Sequence, residues 1–168
     1  MGKLATELVS KKGIKVEELI EKLNKAYSDE WLAYIQYWTG AKIAEGMASG
    51  FVAGELKEHA AEELEHDSKL AKRIFQLGGT IIIDPKEWYK HSTCGYAIPS
   101  NPHVEALLKQ NIEGERCAIA VYNALAEYVK DKDPITYNLI LEILEDEVEH
   151  EQDLEDIQRD FLSVKCVK

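Results

Sequence analysis

Four long stretches of the chain carry apolar residues at intervals of three and four positions, the spacing that places them on one face of an α-helix. These stretches cover about residues 16–45, 50–77, 102–130 and 134–161. Each helix would be about 40 Å long, and four helices of similar length pack readily as an antiparallel bundle. The pattern therefore predicts an all-α fold in which four apolar stripes face a common axis.

The connections between the predicted helices differ in length. Residues 46–50 and 131–133 are short links of the kind that join antiparallel neighbours. The segment 78–102 is too long for such a link and holds three of the four prolines. We expect it to cross over along the length of the bundle, between helices two and three, with a short helix opening at Asp84-Pro85. All 168 residues are expected to form one domain.

Polar residues interrupt each apolar stripe near its middle. The first and third stripes each contain a glutamate there. The second and fourth each contain a glutamate and a histidine three positions apart, which project from the same side of a helix. These inward-facing residues are Glu30, Glu63, His66, Glu115, Glu147 and His150. Four carboxylates and two imidazoles are thus expected to meet near the middle of the bundle.

Four carboxylates buried together need compensation, because each is costly to desolvate and like charges repel. Two divalent cations would balance their charge, and two neutral imidazoles would complete the coordination. Ligation mostly by oxygen, with one nitrogen per metal, favours iron or manganese over structural zinc. We therefore predict a site for two iron ions per chain, with manganese as the other possible metal.

Other interpretations of the polar residues stay open. A single Glu-x-x-His pair is common on the solvated face of an acidic helix, so the prediction depends on all four stripes together. His59 also lies on the inward stripe, and we interpret it as a hydrogen-bonded core residue in preference to a metal ligand. Asn111 would be either its hydrogen-bond partner or a residue that contacts the ligands. The carboxylates off the stripes are expected to face solvent: Glu62, Glu65, Glu149 and Glu151.

The composition excludes several classes of protein. The net charge of −11 suits cations as partners and does not suit nucleic acid. The longest aliphatic run, Ile81–Ile83, is far too short for a membrane helix, and the N-terminus lacks the apolar core of a signal peptide. We therefore expect a cytoplasmic protein without a membrane partner. The N-terminal lysines are expected to be solvated and DNA binding is not expected; these are Lys3, Lys11, Lys12 and Lys15.

Around its Glu-x-x-His motifs the sequence resembles bacterioferritin. EELEHDSKLAKRIFQLGG (62–79) resembles its second helix, LEILEDEVEHEQDLEDI (141–157) its fourth, and DEWLAYIQY (29–37) its first ligand region, with similarity over about residues 20–160. The resemblance implies a ferritin-like bundle, and this ligand set is the one known from ferritin-like di-iron and di-manganese proteins.

The resemblance also implies a role for each residue of the site. Glu63 and Glu147 would bridge the two metals. The remaining ligands would each bind one metal: Glu30, Glu115, His66 and His150. Tyr37 and Tyr122, seven positions after the terminal glutamates, would donate electrons or hydrogen-bond to the ligands. For Tyr27 and Tyr34, which helical spacing also places near the site, aromatic core packing is the simpler interpretation.

The sequence differs from bacterioferritin at several points, and these differences indicate which ferritin-like proteins it resembles most. Leu64 stands where bacterioferritin has a haem-binding methionine, so no haem is expected. The chain ends about six residues after the fourth predicted helix, so no fifth helix is expected, and its length is that of the twelve-subunit Dps proteins. A bacterioferritin-type site in such a chain, with Cys94 and Cys117, resembles the Dps-like proteins called thioferritins, in which a cysteine pair lies close to the di-iron site.

The placement of the cysteines leaves two possibilities. Cys117 follows Glu115 by two positions and leaves its helix towards the crossover, which carries Cys94 past the same region. The two cysteines could form a disulfide if their Cα atoms lie about 4.4–6.8 Å apart, and they would then act as a functional redox pair. The alternative is that both are unpaired structural thiols. Cys166 is expected to be an inert thiol.

These features and the resemblance predict a ferroxidase that oxidises Fe²⁺ with hydrogen peroxide or O₂. It would store the ferric product in a homo-oligomeric cage, a dodecamer, and so protect against oxidative stress. The alternative is a non-storage di-iron or di-manganese peroxidase or catalase similar to rubrerythrin, although the paired CxxC motifs of a rubredoxin module are missing. The charge argument disfavours a third possibility, a helical assembly protein without metal.

Overall fold

A computed structural model describes residues 3–165 of the chain, and Cys166 lies outside the described residues. Between residues 3 and 165 there are six helices: α1 (Lys3–Lys11), α2 (Val16–Ile43), α3 (Ser49–Gln76), α4 (Pro85–His91), α5 (Val104–Val129) and α6 (Pro134–Lys165). Helix α2 pairs with α3, and α5 pairs with α6. The predicted all-α four-helix bundle with a long crossover is confirmed, and α2, α3, α5 and α6 form the bundle.

The core of the bundle consists of two apolar clusters. One contains Leu70 of α3 and Ile143 of α6, and the other contains Ala60 of α3 and Leu154 of α6. On each of these helices the Glu-x-x-His motif lies between a residue of one cluster and a residue of the other. The polar residues predicted to face inward therefore lie in a layer at mid-height, closed by apolar packing above and below.

A glycine after α3 and a side-chain cap before α4 set helix boundaries close to those predicted from the sequence. Gly78, two positions after the last residue of α3, adopts a left-handed conformation (φ 83°), and the backbone N–H of Gly79 donates to the carbonyl of Ile74 at 3.0 Å. Asp84 caps α4 by accepting from the backbone of Lys86 at 3.0 Å, with Pro85 as the first helical residue. These contacts satisfy backbone groups that a helix end leaves free.

Polar contacts hold the crossover against the bundle at both of its ends. Asn24 of α2 donates to the carbonyl of Thr80 and accepts from the backbone of Ile82, both at 3.0 Å. At the other end Glu45 and His103 form an isolated backbone bridge. The crossover, which carries Cys94, therefore has a fixed path along α2.

The apolar spacing did not predict the first helix, α1, whose Val9, together with the following Ile14, is buried in the core. The nine-residue helix is too short for its apolar spacing to be separated from chance. Its last basic residue, Lys11, remains exposed, as do Lys12 and Lys15.

The three-and-four spacing of apolar residues also predicts an inward position for Trp38, four positions after Tyr34, but its side chain is 46% exposed. Tyr37 occupies the core position in its place, because it lies almost two full helical turns after Glu30. Within residues 3–165, none of the helices has both the length and the apolar character required to cross a membrane.

Candidate metal centre

The six predicted polar residues meet in the middle of the bundle, and each is at most 3% exposed. His66 Nδ1 lies 3.3 Å from Glu30 Oε2, 3.4 Å from Glu63 Oε2 and 3.2 Å from Glu147 Oε1. His150 Nδ1 lies 3.7 Å from Glu63 Oε1 and 4.0 Å from Glu147 Oε2. Both imidazoles thus turn the same ring nitrogen towards the centre.

The ligand atoms form two overlapping groups, each compact enough to surround one metal ion. The first consists of Glu30, Glu63, His66 and Glu147, and the second of Glu63, Glu115, Glu147 and His150. Glu63 and Glu147 belong to both groups. Each group offers one imidazole nitrogen and three carboxylates, a donor set suited to iron or manganese.

Buried polar atoms without a hydrogen-bond partner converge on this centre. Within the described residues they include Glu63 Oε1, Glu115 Oε2, Glu147 Oε1 and His150 Nδ1. Leaving such atoms unpaired is unfavourable, and four of them facing one another would be satisfied together by cations. The residues present therefore fit a pair of divalent metals.

The protonation of the cluster reflects the same unbalanced charge. Burial, followed by repulsion from Glu63 and Glu30, raises the pKa of Glu147 to about 8. Burial and neighbouring carboxylates also raise the pKa of Glu63 and Glu115 well above their ordinary values. Burial also acts on Glu30, but its hydrogen bonds with His66, Glu63 and Tyr122 and the charge of His66 together outweigh burial and lower its pKa. Protons therefore occupy the cluster when metals do not, and metals must displace them.

Two tyrosines hydrogen-bond to the outer carboxylates of the cluster. Tyr37 of α2 donates to Glu115 of α5, and Tyr122 of α5 donates to Glu30 of α2. Burial, followed by the negative charge of the glutamate each contacts, raises the pKa of both phenols well above the ordinary value. Both therefore keep their protons and fix the carboxylates in place. Tyr27 packs in the apolar core, and Tyr34 packs against Trp31.

Two acidic residues that the apolar spacing did not predict lie behind the imidazoles of the centre. Nε2 of His150 lies 2.7 Å from Glu62, which was expected to face solvent, and Nε2 of His66 lies 3.0 Å from Asp146. A carboxylate behind a ligating histidine orients the ring and leaves its other nitrogen free for metal. The signal was present in the sequence, because an acidic residue directly precedes the glutamate of each Glu-x-x-His motif.

Cys94 and Cys117 form a disulfide with Cα atoms 5.7 Å apart. Asp29 of α2 fixes the crossover loop there, since its Oδ1 accepts from the backbone of Thr93 and Cys94 at 2.8 Å and from the hydroxyl of Ser92. Both cysteines line a cavity of about 170 Å³ that also reaches the central carboxylates. The disulfide therefore lies on an approach from the surface to the centre.

His59 lies outside the central cluster and is 2% exposed. Its ring stacks on that of His150 at 4.1 Å between centroids and meets Tyr37 edge-on. Asn111 does not hydrogen-bond to His59, because its side-chain oxygen Oδ1 accepts from the side-chain amide of Gln36 at 2.9 Å. Burial, followed by the charge of His150, lowers the pKa of His59 to about 3.

This chain belongs to the ferritin-like family, since the family model of the ferritin-like domain matches residues 20–163. It is 36% identical over 151 residues to the DNA protection during starvation protein of Pyrococcus furiosus, covering 89% of this chain and 82% of the relative.

Two solved structures show how closely the fold is shared. The dodecameric thioferritin of Bacteroides fragilis, described as a bacterioferritin-related protein, is 41% identical with a TM-score of 0.96, over 99% of this chain and all of that one. The bacterioferritin of Desulfovibrio desulfuricans, solved with its diiron site in different catalytic states, is 25% identical with a TM-score of 0.75, over 88% of this chain and 82% of that one.

Proposed function

We propose that this protein is a ferroxidase of the Dps-like mini-ferritin type, which oxidises Fe²⁺ and stores the ferric product. The observation that carries this proposal is the pair of overlapping ligand groups that share Glu63 and Glu147. Two ions bound there would lie side by side, and two Fe²⁺ ions supply two electrons together, enough to reduce peroxide to water. Iron is the preferred metal and manganese the alternative.

The residues of the centre divide into three roles in this proposal. Glu63 and Glu147, which belong to both ligand groups, would hold both ions, and the other four ligands would each hold one: Glu30, Glu115, His66 and His150. Tyr37 and Tyr122 keep the terminal carboxylates oriented through their hydrogen bonds. Both phenols are close enough to the centre to donate electrons to it.

The cysteine pair, in its reduced form, would give the centre a second source of electrons. When Cys94 and Cys117 are reduced, forming their S–S bond releases two electrons and two protons, which are the amounts needed to convert one hydrogen peroxide to two waters. The cavity that joins the pair to the central carboxylates supports this role. We expect this chemistry in the cytoplasm, where thiols are regenerated by cellular reductants.

Storage requires a cage, and we propose a homododecamer. The dodecameric thioferritin matches this chain over its whole length, and large apolar side chains remain exposed on the single chain, among them Phe51, Ile83 and Ile98. Packing between subunits would cover such surface. Twelve chains of 19.0 kDa would give a particle of about 230 kDa.

Anaerobic protein given Fe²⁺ and then hydrogen peroxide or O₂ tests the proposal. We expect rapid ferric absorbance, with iron eluting together with a particle of about 230 kDa in size exclusion with light scattering. Glu63→Ala should abolish the rapid phase and retain the helical circular dichroism spectrum. Unchanged oxidation by this variant would contradict the assigned centre, and a stable monomer or dimer would contradict storage.

A further inference from the structure

A second cavity, of about 140 Å³, lies on the other side of His150 from the metal centre. It shares no lining residue with the cavity at the disulfide. Its walls are His59, His150 and carboxylates of α3 and α6, among them Glu55 and Asp153. The cavity is therefore acidic, with one buried imidazole that the dinuclear centre does not use.

His59 is 2% exposed, and its buried Nδ1 has no hydrogen-bond partner within the part of the chain that the structure describes. Its Nε2 points between two carboxylates, 3.6 Å from Glu55 Oε1 and 4.0 Å from Asp153 Oδ2. Both distances exceed the range of a hydrogen bond. Neither carboxylate therefore hydrogen-bonds to Nε2, so this nitrogen of a buried imidazole lacks the partner that buried polar groups normally have.

These separations suit ligands of one metal ion. Two ligand atoms that each lie about 2.1 Å from an ion are about 3.6 Å apart when the angle between them is about 120°. The ligand atoms of Glu55, His59 and Asp153 all lie within 4.8 Å of one another. One imidazole and two carboxylates also balance the charge of a divalent ion.

We propose that Glu55, His59 and Asp153 form a mononuclear site for a first-row divalent metal, separate from the dinuclear centre. The site is separate because His150, stacked between His59 and the centre, turns Nδ1 to the central carboxylates and Nε2 to Glu62. Asp153 is 45% exposed, so water can reach the ion and complete its coordination. One nitrogen and two carboxylate oxygens suit Zn²⁺, Fe²⁺ or Mn²⁺.

Zinc tests the site without any requirement for ferroxidase activity. Crystals of the whole protein soaked in Zn²⁺ and measured on both sides of the zinc absorption edge should show an anomalous peak among His59 Nε2, Glu55 Oε1 and Asp153 Oδ2. Glu55→Gln and Asp153→Asn should each remove this peak and leave zinc at the dinuclear centre. Glu149→Gln, which removes a charge from the same cavity without approaching His59, should retain it.

Zinc content in solution separates this proposal from the proposed function. After gel filtration, Asp153→Asn should hold one zinc ion fewer per chain than the unmodified protein, and Glu63→Ala should keep the ion at His59. Absence of Fe²⁺ oxidation together with this peak would contradict the proposed function alone. No zinc at His59 under saturating Zn²⁺, or a peak unchanged in both Glu55→Gln and Asp153→Asn, would overturn the mononuclear site.

Discussion

Glu62 of α3 supports His150 of α6 across the bundle, with 2.7 Å between the carboxylate and Nε2. The reciprocal contact joins Asp146 of α6 to His66 of α3 at 3.0 Å. Each of the two helices therefore supplies one imidazole to the centre and, directly before its Glu-x-x-His motif, one carboxylate that orients the imidazole of the other helix. The two helices depend on each other for ligand geometry.

This exchange predicts that Glu62→Gln weakens metal binding without removing a ligand. The amide can no longer hold the His150 ring as an anionic acceptor, so we expect metal affinity at the centre to fall about 10–100-fold. Titration of the metal-free protein with Co²⁺, followed by absorbance, measures the change. Glu65→Gln, an exposed neighbour on the same helix, is the matched control. Equal affinities for both variants would show that the contact does not orient the ligand.

The raised pKa of Glu147 predicts a pH-dependent stability difference. Its folded pKa is about 8 against an ordinary value of 4.5, so the metal-free folded state binds the proton more tightly than the unfolded state does. The free energy of unfolding that this group contributes is therefore lost as pH rises through this window. Glu147→Gln, which cannot ionise, should gain stability relative to the unmodified protein by up to about 1.4 kcal/mol per pH unit between about pH 5 and 8.

Denaturation of metal-free Glu147→Gln and the unmodified protein across this range measures that difference. Glu145→Gln, an exposed neighbour, should show no such trend. A stability difference that is constant with pH, or that decreases as pH rises, would contradict the protonated state of the cluster.

A buried ion pair at the start of α6 should contribute strongly to stability. Asp133 accepts from Arg73 of α3 at 2.8 Å and from the backbone of Thr136 at 3.1 Å. Asp133→Ala leaves the Arg73 charge buried without its partner, so we expect a loss of about 3–5 kcal/mol in the free energy of unfolding. Asp84→Ala, which removes the cap of the short α4, should cost only about 1 kcal/mol. If denaturant titrations gave Asp133→Ala and Asp84→Ala similar losses in the free energy of unfolding, the Asp133–Arg73 ion pair would contribute little beyond helix capping.

The same pair sets a lower pH limit for this contribution. Burial alone would raise the pKa of Asp133, but the hydrogen bonds from Thr136 and Arg73 outweigh it and lower the pKa below the ordinary value of 3.8. The stabilisation is therefore present above that value and is lost as pH falls through the lowered folded pKa. The Asp133→Ala loss should thus shrink only in strongly acidic solution.

The disulfide should stabilise the oxidised protein because it restricts the unfolded chain, an effect that grows with the logarithm of the length of the closed loop. Cys94 and Cys117 are 23 positions apart, and a loop of this length corresponds to about 3 kcal/mol. Cys117→Ser should therefore unfold at lower denaturant concentration than the oxidised protein. Under reducing conditions the two proteins should unfold alike. A difference that persists after reduction would assign the effect to packing of the serine instead.

The sequence predicted the bundle and the centre because both depend on strong regular signals. Four helices of more than 25 residues repeat their apolar spacing many times, and the breaks at Glu30, Glu63, Glu115 and Glu147 stand out against it. The capping residues Asp84 and Gly78 act locally, so their effect is also visible in the sequence.

Other side-chain contacts between different helices could not be predicted from the sequence. Glu62 lies off the apolar stripe, and only the crossing of α3 and α6 brings it to His150. Arg73 is a charged residue at a buried position, which becomes favourable only because Asp133 lies opposite. The cysteine pairing depended on the path of the crossover, which Asp29 fixes through side-chain contacts. Such pairs follow from tertiary geometry, which apolar spacing does not specify.

Iron-edge anomalous diffraction from crystals soaked anaerobically in Fe²⁺ tests the dinuclear centre most directly. If the centre is dinuclear, two iron peaks per chain should appear in the middle of the bundle, both contacted by Glu63 and Glu147. One peak should also contact Glu30 and His66, and the other should contact Glu115 and His150. A single peak, or iron bound elsewhere while these six residues remain free of metal, would contradict the dinuclear centre.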